Sequence, residues 1–160
     1  MFNHNEDENS VLTGFTITGG IGAYDDNGAI CGGGIHCIRA SPILTHLKIT
    51  GNRAEFGGGL FLKYSSAFVT HLQILNNYSD RVGGGIQIST RSAPTISYSV
   101  VSNNEAGLYG GGIRCWNRNN IEFDHVIIYN NSSSIYGGGM AVNEYNSISL
   151  TNCILRDNSS

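Results

Sequence analysis

Five glycine triplets punctuate the chain: Gly32-Gly33-Gly34, Gly57-Gly58-Gly59, Gly83-Gly84-Gly85, Gly110-Gly111-Gly112 and Gly137-Gly138-Gly139. They hold fifteen of the 22 glycines, and successive triplets start 25, 26, 27 and 27 residues apart. A near-constant period of this size means one small unit repeated and stacked on its neighbours, each burying the apolar face of the next. The chain therefore reads as a solenoid.

Aligning the repeats on the triplets exposes two apolar columns one residue apart. The first is Ile35, Leu60, Ile86, Ile113 and Met140, and the second is Cys37, Leu62, Ile88, Cys115 and Val142. His36, Phe61, Gln87, Arg114 and Ala141 lie between them. Period-two alternation predicts a strand with one buried face after each triplet. A second alignment, on Asn52, Asn77, Asn104, Asn131 and Asn158, gives three more columns. Three residues before each asparagine stand Ile49, Ile74, Val101, Ile128 and Leu155; five before, Leu47, Leu72, Ser99, Val126 and Cys153; eight before, Leu44, Val69, Ile96, Phe123 and Leu150. The step from eight to five breaks the alternation and predicts a bend between two further strands. The expected fold is all-β, a right-handed parallel β-helix of five to six coils with three short strands each.

The bend column is His46, His71, Tyr98, His125 and Asn152. Asn and His tolerate the left-handed backbone that a one-residue bend needs. Metal ligands must converge on one point, whereas stacked coils hold these side chains about 4.8 Å apart, so the column reads as a ring stack. The asparagine column reads as an amide ladder, which assigns the sequons Asn77-Tyr78-Ser79 and Asn131-Ser132-Ser133 to the fold and not to glycosylation. Cys31, Cys37, Cys115 and Cys153 fit no Cys-x-x-Cys spacing and are expected to be free, mostly buried thiols.

The whole chain, residues 1–160, reads as one domain. Residues 1–10 are expected to cap the stack or form a loose tail; they lack the basic start and apolar run of a signal peptide. Residues 11–31 form an atypical first coil and 32–158 the regular ones. Val11 to Gly20 matches the second and third strands of a coil, with Gly20 in the ladder position. The insertion Ile21–Cys31 holds Asp25-Asp26-Asn27-Gly28, which is ordinary turn chemistry; a calcium loop built on Asp25, Asp26 and Asn27 is the alternative, because clustered oxygens suit a hard cation. No other metal or cofactor is suggested. Charged residues make up 13% of the chain, about half of the usual ~25%. The net charge of −3 offers no general attraction to nucleic acid or anionic membrane, and no apolar stretch is long enough for a membrane-spanning helix.

Ala93-Pro94-Thr95-Ile96-Ser97-Tyr98-Ser99-Val100-Val101-Ser102-Asn103-Asn104, Ser134-Ile135-Tyr136-Gly137-Gly138-Gly139-Met140 and the pair Asn152-Cys153 resemble repeats of the pectate-lyase-like, right-handed parallel β-helix superfamily. The pairing of Gly-Gly-Ile with aliphatic-x-x-Asn is also similar to repeats of bacterial polymorphic outer-membrane proteins. The resemblance spans residues 11–158 and implies a secreted or cell-surface setting. It covers adhesins, surface proteins and polysaccharide-degrading enzymes alike. The Asn-Thr-Asp, Gly-His-Gly and Arg-Ile-Lys motifs of the hydrolases are missing, and the one Asp-Asp pair is Asp25-Asp26. Glu122 and Asp124 share a coil, but Asp124 takes the place that is Thr or Ser in other coils. These departures point away from an enzyme.

The segments that follow the triplets are uneven in chemistry. Arg39, Lys63, Arg91, Arg114 and Arg118 lie there, with Phe61, Tyr64, Trp116 and Tyr145, against a single acid, Glu144. Aromatic faces stack on sugar rings and guanidinium forks pair with carboxylates or sulfates. Two readings stay open: a shallow groove for an extended, acidic polysaccharide, or a solvated surface on which long side chains cover neighbouring coils. A structural or adhesive module is the reading from a different class. Five and a half coils make a rod only about 25 Å long, short for a stalk, which leaves two expectations: a piece of a longer β-helix, such as a surface adhesin, or end-to-end pairing of two copies. Ice binding needs regular Thr arrays, and Ser97 and Asp124 interrupt Thr45, Thr70 and Thr151.

Overall fold

The computed structural model describes residues 1–3 and 6–160. It is a helical coil of strands with no α-helix. The strands that follow the triplets, Ile35–Ile38, Leu60–Lys63, Ile86–Ser89, Ile113–Trp116 and Met140–Asn143, stack into a first parallel sheet. Val11–Thr13, Ile43–Thr45, Phe68–Thr70, Thr95–Ser97, Asn120–Asp124 and Ser147–Thr151 form a second. Thr16–Ile17, Lys48–Thr50, Gln73–Leu75, Val100–Ser102, Ile127–Tyr129 and Ile154–Arg156 form a third. The columns read from the sequence are the registers observed: Ile86 pairs with Leu60 and Ile113, Ile96 with Val69 and Phe123, and Val101 with Ile74 and Ile128.

Each coil also carries a strand beyond the three expected. Arg53–Phe56, Tyr78–Val82, Glu105–Ala106 and Ser132–Ser133 make a fourth sheet between the asparagine ladder and the next triplet. No side-chain alternation marks these segments, because backbone amides and carbonyls pair whatever the side chains are. The insertion is a hairpin: Ala23–Tyr24 runs antiparallel to Ile30–Cys31, and Cys31 joins the fourth sheet opposite Phe56.

The core runs up the middle. Leu44, Val69, Ile96 and Phe123, then Ile49, Ile74, Val101 and Ile128, then Leu60, Ile86 and Ile113 are shut off from solvent. The polar member of these columns is satisfied: Ser99 Oγ donates to the Ser97 carbonyl at 2.6 Å and accepts the Leu72 amide at 3.0 Å. The bend residues His46, His71, Tyr98, His125 and Asn152 have φ between +46° and +55°. Their rings stack at 4.8, 5.3 and 4.8 Å from His46 to His125.

The asparagine ladder replaces backbone pairing where the chain turns. The Oδ1 of Asn77 accepts both the amide and the Nδ2 of Asn52, at 3.1 and 3.0 Å, and the pattern repeats from Asn77 to Asn104, Asn131 and Asn158. Gly20 opens the ladder by donating its amide to Asn52 Oδ1. Asn77 and Asn131, the two sequon asparagines, are 1% exposed. A second ladder, unread from the sequence, runs through Ser65, Ser92, Asn119 and Asn146 at the turn after the first sheet.

Of the segment 1–10, residues 4 and 5 lie outside the described residues. Phe2 bridges Cys37 in parallel and packs on the core, filling the place of a first-sheet strand in the first coil. Cys31, Cys37 and Cys115 are buried free thiols, and Cys153 is half-buried.

A candidate groove on the first sheet

The first sheet turns one set of side chains inward and the other outward. On the outer face, Phe61, Gln87 and Arg114 form one column and Lys63, Ser89 and Trp116 a second, each member paired in register with the next. The residue just before each triplet forms a wall beside them: Cys31, Phe56, Val82 and Tyr109 stand in one column of the fourth sheet. Floor and wall enclose a cavity of about 620 Å³, within the range of ~300–1,000 Å³ common for ligand sites.

Five residues of the uneven strip line this cavity: Phe61, Lys63, Tyr64, Arg114 and Trp116. Four do not. Arg39 is exposed, pairs with Asp26 at 2.9 Å and lies over the Tyr64 ring. Arg91, Arg118 and Tyr145 are the extra residues of a turn that is one residue longer in the later coils. Their left-handed backbone carries them out to solvent, where Arg118 lies over Tyr145.

The sequence reading missed the wall. Phe56 and Tyr109 belong to it, and Arg81 lies beside it with its guanidinium over the Phe56 ring at 5.2 Å. The signal was present one residue before each triplet, in the column Cys31, Phe56, Val82, Tyr109 and Tyr136. The column is mixed in chemistry and follows no apolar alternation, so the repeat pattern does not mark it as a strand.

Charge in the cavity is unbalanced. At one end the Lys63 ammonium donates to Asp25 Oδ2 at 2.9 Å, the two side chains being 11% and 6% exposed. Burial works to raise the Asp25 pKa, but the Lys63 bond and the amides of Ala29 and Asn27 outweigh it and hold the carboxyl below its ordinary value. The calcium alternative thus meets two carboxylates already engaged and facing different cations, Asp25 with Lys63 and Asp26 with Arg39. Among the described residues, no three His, Cys, Asp or Glu side chains gather as a metal cluster.

At the other end Arg114 donates from Nε to Asn143 Oδ1 at 3.2 Å and lies 5.6 Å from the centre of the Tyr109 ring. Burial lowers its pKa from the ordinary value, yet an arginine so placed stays charged at neutral pH. Among the described residues neither Arg81 nor Arg114 has a carboxylate partner. Gln87 sits between the two ends, buried, and its Oε1 accepts no hydrogen bond among the described residues.

The groove offers little for bond cleavage. Burial pushes the Cys31 thiol on its wall up to about 12, so it stays protonated and weakly nucleophilic. Asp25 is the one carboxylate on the lining. Glu122 and Asp124 stand on the outer face of the second sheet, where Asp124 accepts from His125 and Asn152.

Compared with known protein families, residues 5–155 match the right-handed β-helix region. Searches among curated proteins and among solved structures return no match. The repeat period, the parallel register and this match over nearly the whole chain agree: the protein belongs to the right-handed β-helix family.

Proposed function

We propose that this β-helix is a non-catalytic binding module whose first-sheet groove holds an acidic polysaccharide. The observation that carries the reading is the placement of Arg81 and Arg114 on aromatic rings, in one cavity, with no carboxylate partner among the described residues. Arg114 is half-buried and Arg81 exposed; a guanidinium without a counter-ion favours an anionic ligand, and its fork suits a carboxylate or sulfate. Tyr64 and Trp116, both exposed, supply apolar faces for sugar rings. Glycoside hydrolysis uses two carboxyl groups in most families, whereas the lining offers Asp25, already tied down.

Calorimetric titration tests this with trigalacturonate against neutral cellotriose. The acidic sugar is expected to bind and the neutral one not. Arg114→Ala and Arg81→Ala should each weaken binding roughly 10- to 100-fold, the cost of a charge-assisted hydrogen bond. Equal affinity for both sugars, or variants that bind like the parent chain, would overturn the proposal.

A further inference from the structure

The groove is closed at one end. On the outer face of the first sheet, the first coil contributes His36 and Ile38, and both are buried. Ile38 lies in a small apolar cluster with Cys31 and Phe61, against which Ala29 of the hairpin and Phe56 pack. Two ion pairs tie the hairpin turn to the ends of the first two strands of this sheet, Asp25 to Lys63 and Asp26 to Arg39. Further along the stack Gln87 and Ser89 are still buried, and the outer face opens at Arg114, half-buried, and Trp116, exposed. From Phe61 to Arg114 is two coil spacings, about 10 Å, or room for a few sugar units.

A chain that passed straight through this groove would have to cross the space filled by Ala29, Cys31 and the Asp25–Lys63 pair. We infer that the groove receives the end of an acidic sugar chain and not its interior. This rests on the proposed function above, because the same cavity is used. The terminal unit lies against the hairpin, and the next units carry their carboxylates out toward Arg81 and Arg114. The hairpin is thus the element that sets which part of a polymer is recognised.

The test is binding stoichiometry on the unmodified protein with galacturonate chains of graded length, read by calorimetry and light scattering. End recognition predicts that the protein bound per chain, and the affinity per mole of chain, do not change with length. Protein bound per chain that grows in proportion to length overturns the inference but leaves the acidic-glycan reading standing. Failure to bind any acidic chain removes both. A variant with residues 25–29 replaced by a short glycine linker, checked for folding by its far-UV spectrum and melting, should convert length-independent binding into length-proportional binding. If it keeps the parent stoichiometry, the hairpin is not the stop. Should that variant fail to fold, Asp25→Asn with Asp26→Asn loosens the same cover and carries the same expectation.

Discussion

A buried amide repeated at one position per coil is the residue-scale device of this fold. Asn104 Oδ1 accepts from the amide and Nδ2 of Asn77, while its own Nδ2 donates to the Ile74 carbonyl and Asn131 Oδ1. Removing it orphans several buried groups, each worth about 1–3 kcal/mol. Asn104→Ala is therefore expected to lower the urea midpoint sharply, whereas Asn158→Ala on the last coil should cost less. His36 is the other residue with a consequence. Both ring nitrogens are buried and lack partners among the described residues. Burial holds its pKa below the ordinary 6.5; the N-terminal amine and Lys63 push the same way, and Asp25 and Asp26 oppose. The unfolded chain thus binds a proton that the folded chain refuses. Stability should be unaffected by this group above pH 6.5 and fall as pH drops from 6.5 toward the lowered folded value, by up to about 1.4 kcal/mol per pH unit. Unfolding measured across that window, with His36→Phe flattening the loss, checks the sign.

At the scale of the element, the three glycines of a triplet have different duties. The first has φ between +62° and +72° in every coil, which turns the chain out of the fourth sheet. In the first four triplets a Cβ at the second or third glycine would run into backbone of the adjacent coil; at Gly84 it would meet the carbonyl oxygens of Glu105 and Gly111. The amides of Gly84 and Gly85 pair with the next triplet, so neighbouring triplets sit directly on one another. Gly84→Val is expected to destabilise by roughly 1–3 kcal/mol or more through overpacking, with acidic-sugar affinity of the folded fraction unchanged. An unaltered melting temperature would contradict the packing account. The hairpin is an element of another kind. It is held by side-chain ion pairs across 13 and 38 residues of sequence, Asp26–Arg39 and Asp25–Lys63, and no column of the repeat anticipates it.

On the scale of the whole molecule, each coil contacts only its neighbours, so stability is close to a sum of coil and interface contributions. Position along the stack then matters as much as residue type. Ile128→Lys buries a charge between two coils and is expected to prevent folding, whereas Leu155→Lys, in the same column on the last coil, should leave melting nearly unchanged. Far-UV melting of the two variants compares them directly.

The sequence by itself determined the solenoid, its parallel register, the bend column and the amide ladder. The reason is physical: stacked identical units place like residues over like, so a column read from the period is a contact in space. Phe61, Gln87 and Arg114 were legible as a column in that way. The fourth sheet was not, since Tyr78–Val82 and Glu105–Ala106 pair through backbone without apolar alternation. Nor could the period tell that Arg91, Arg118 and Tyr145 turn away from Arg114 and Trp116. That division depends on left-handed turn residues and on one inserted position. Only the tertiary structure decided that the wall faces the floor and that the hairpin shuts one end, because both join segments that no repeat places side by side.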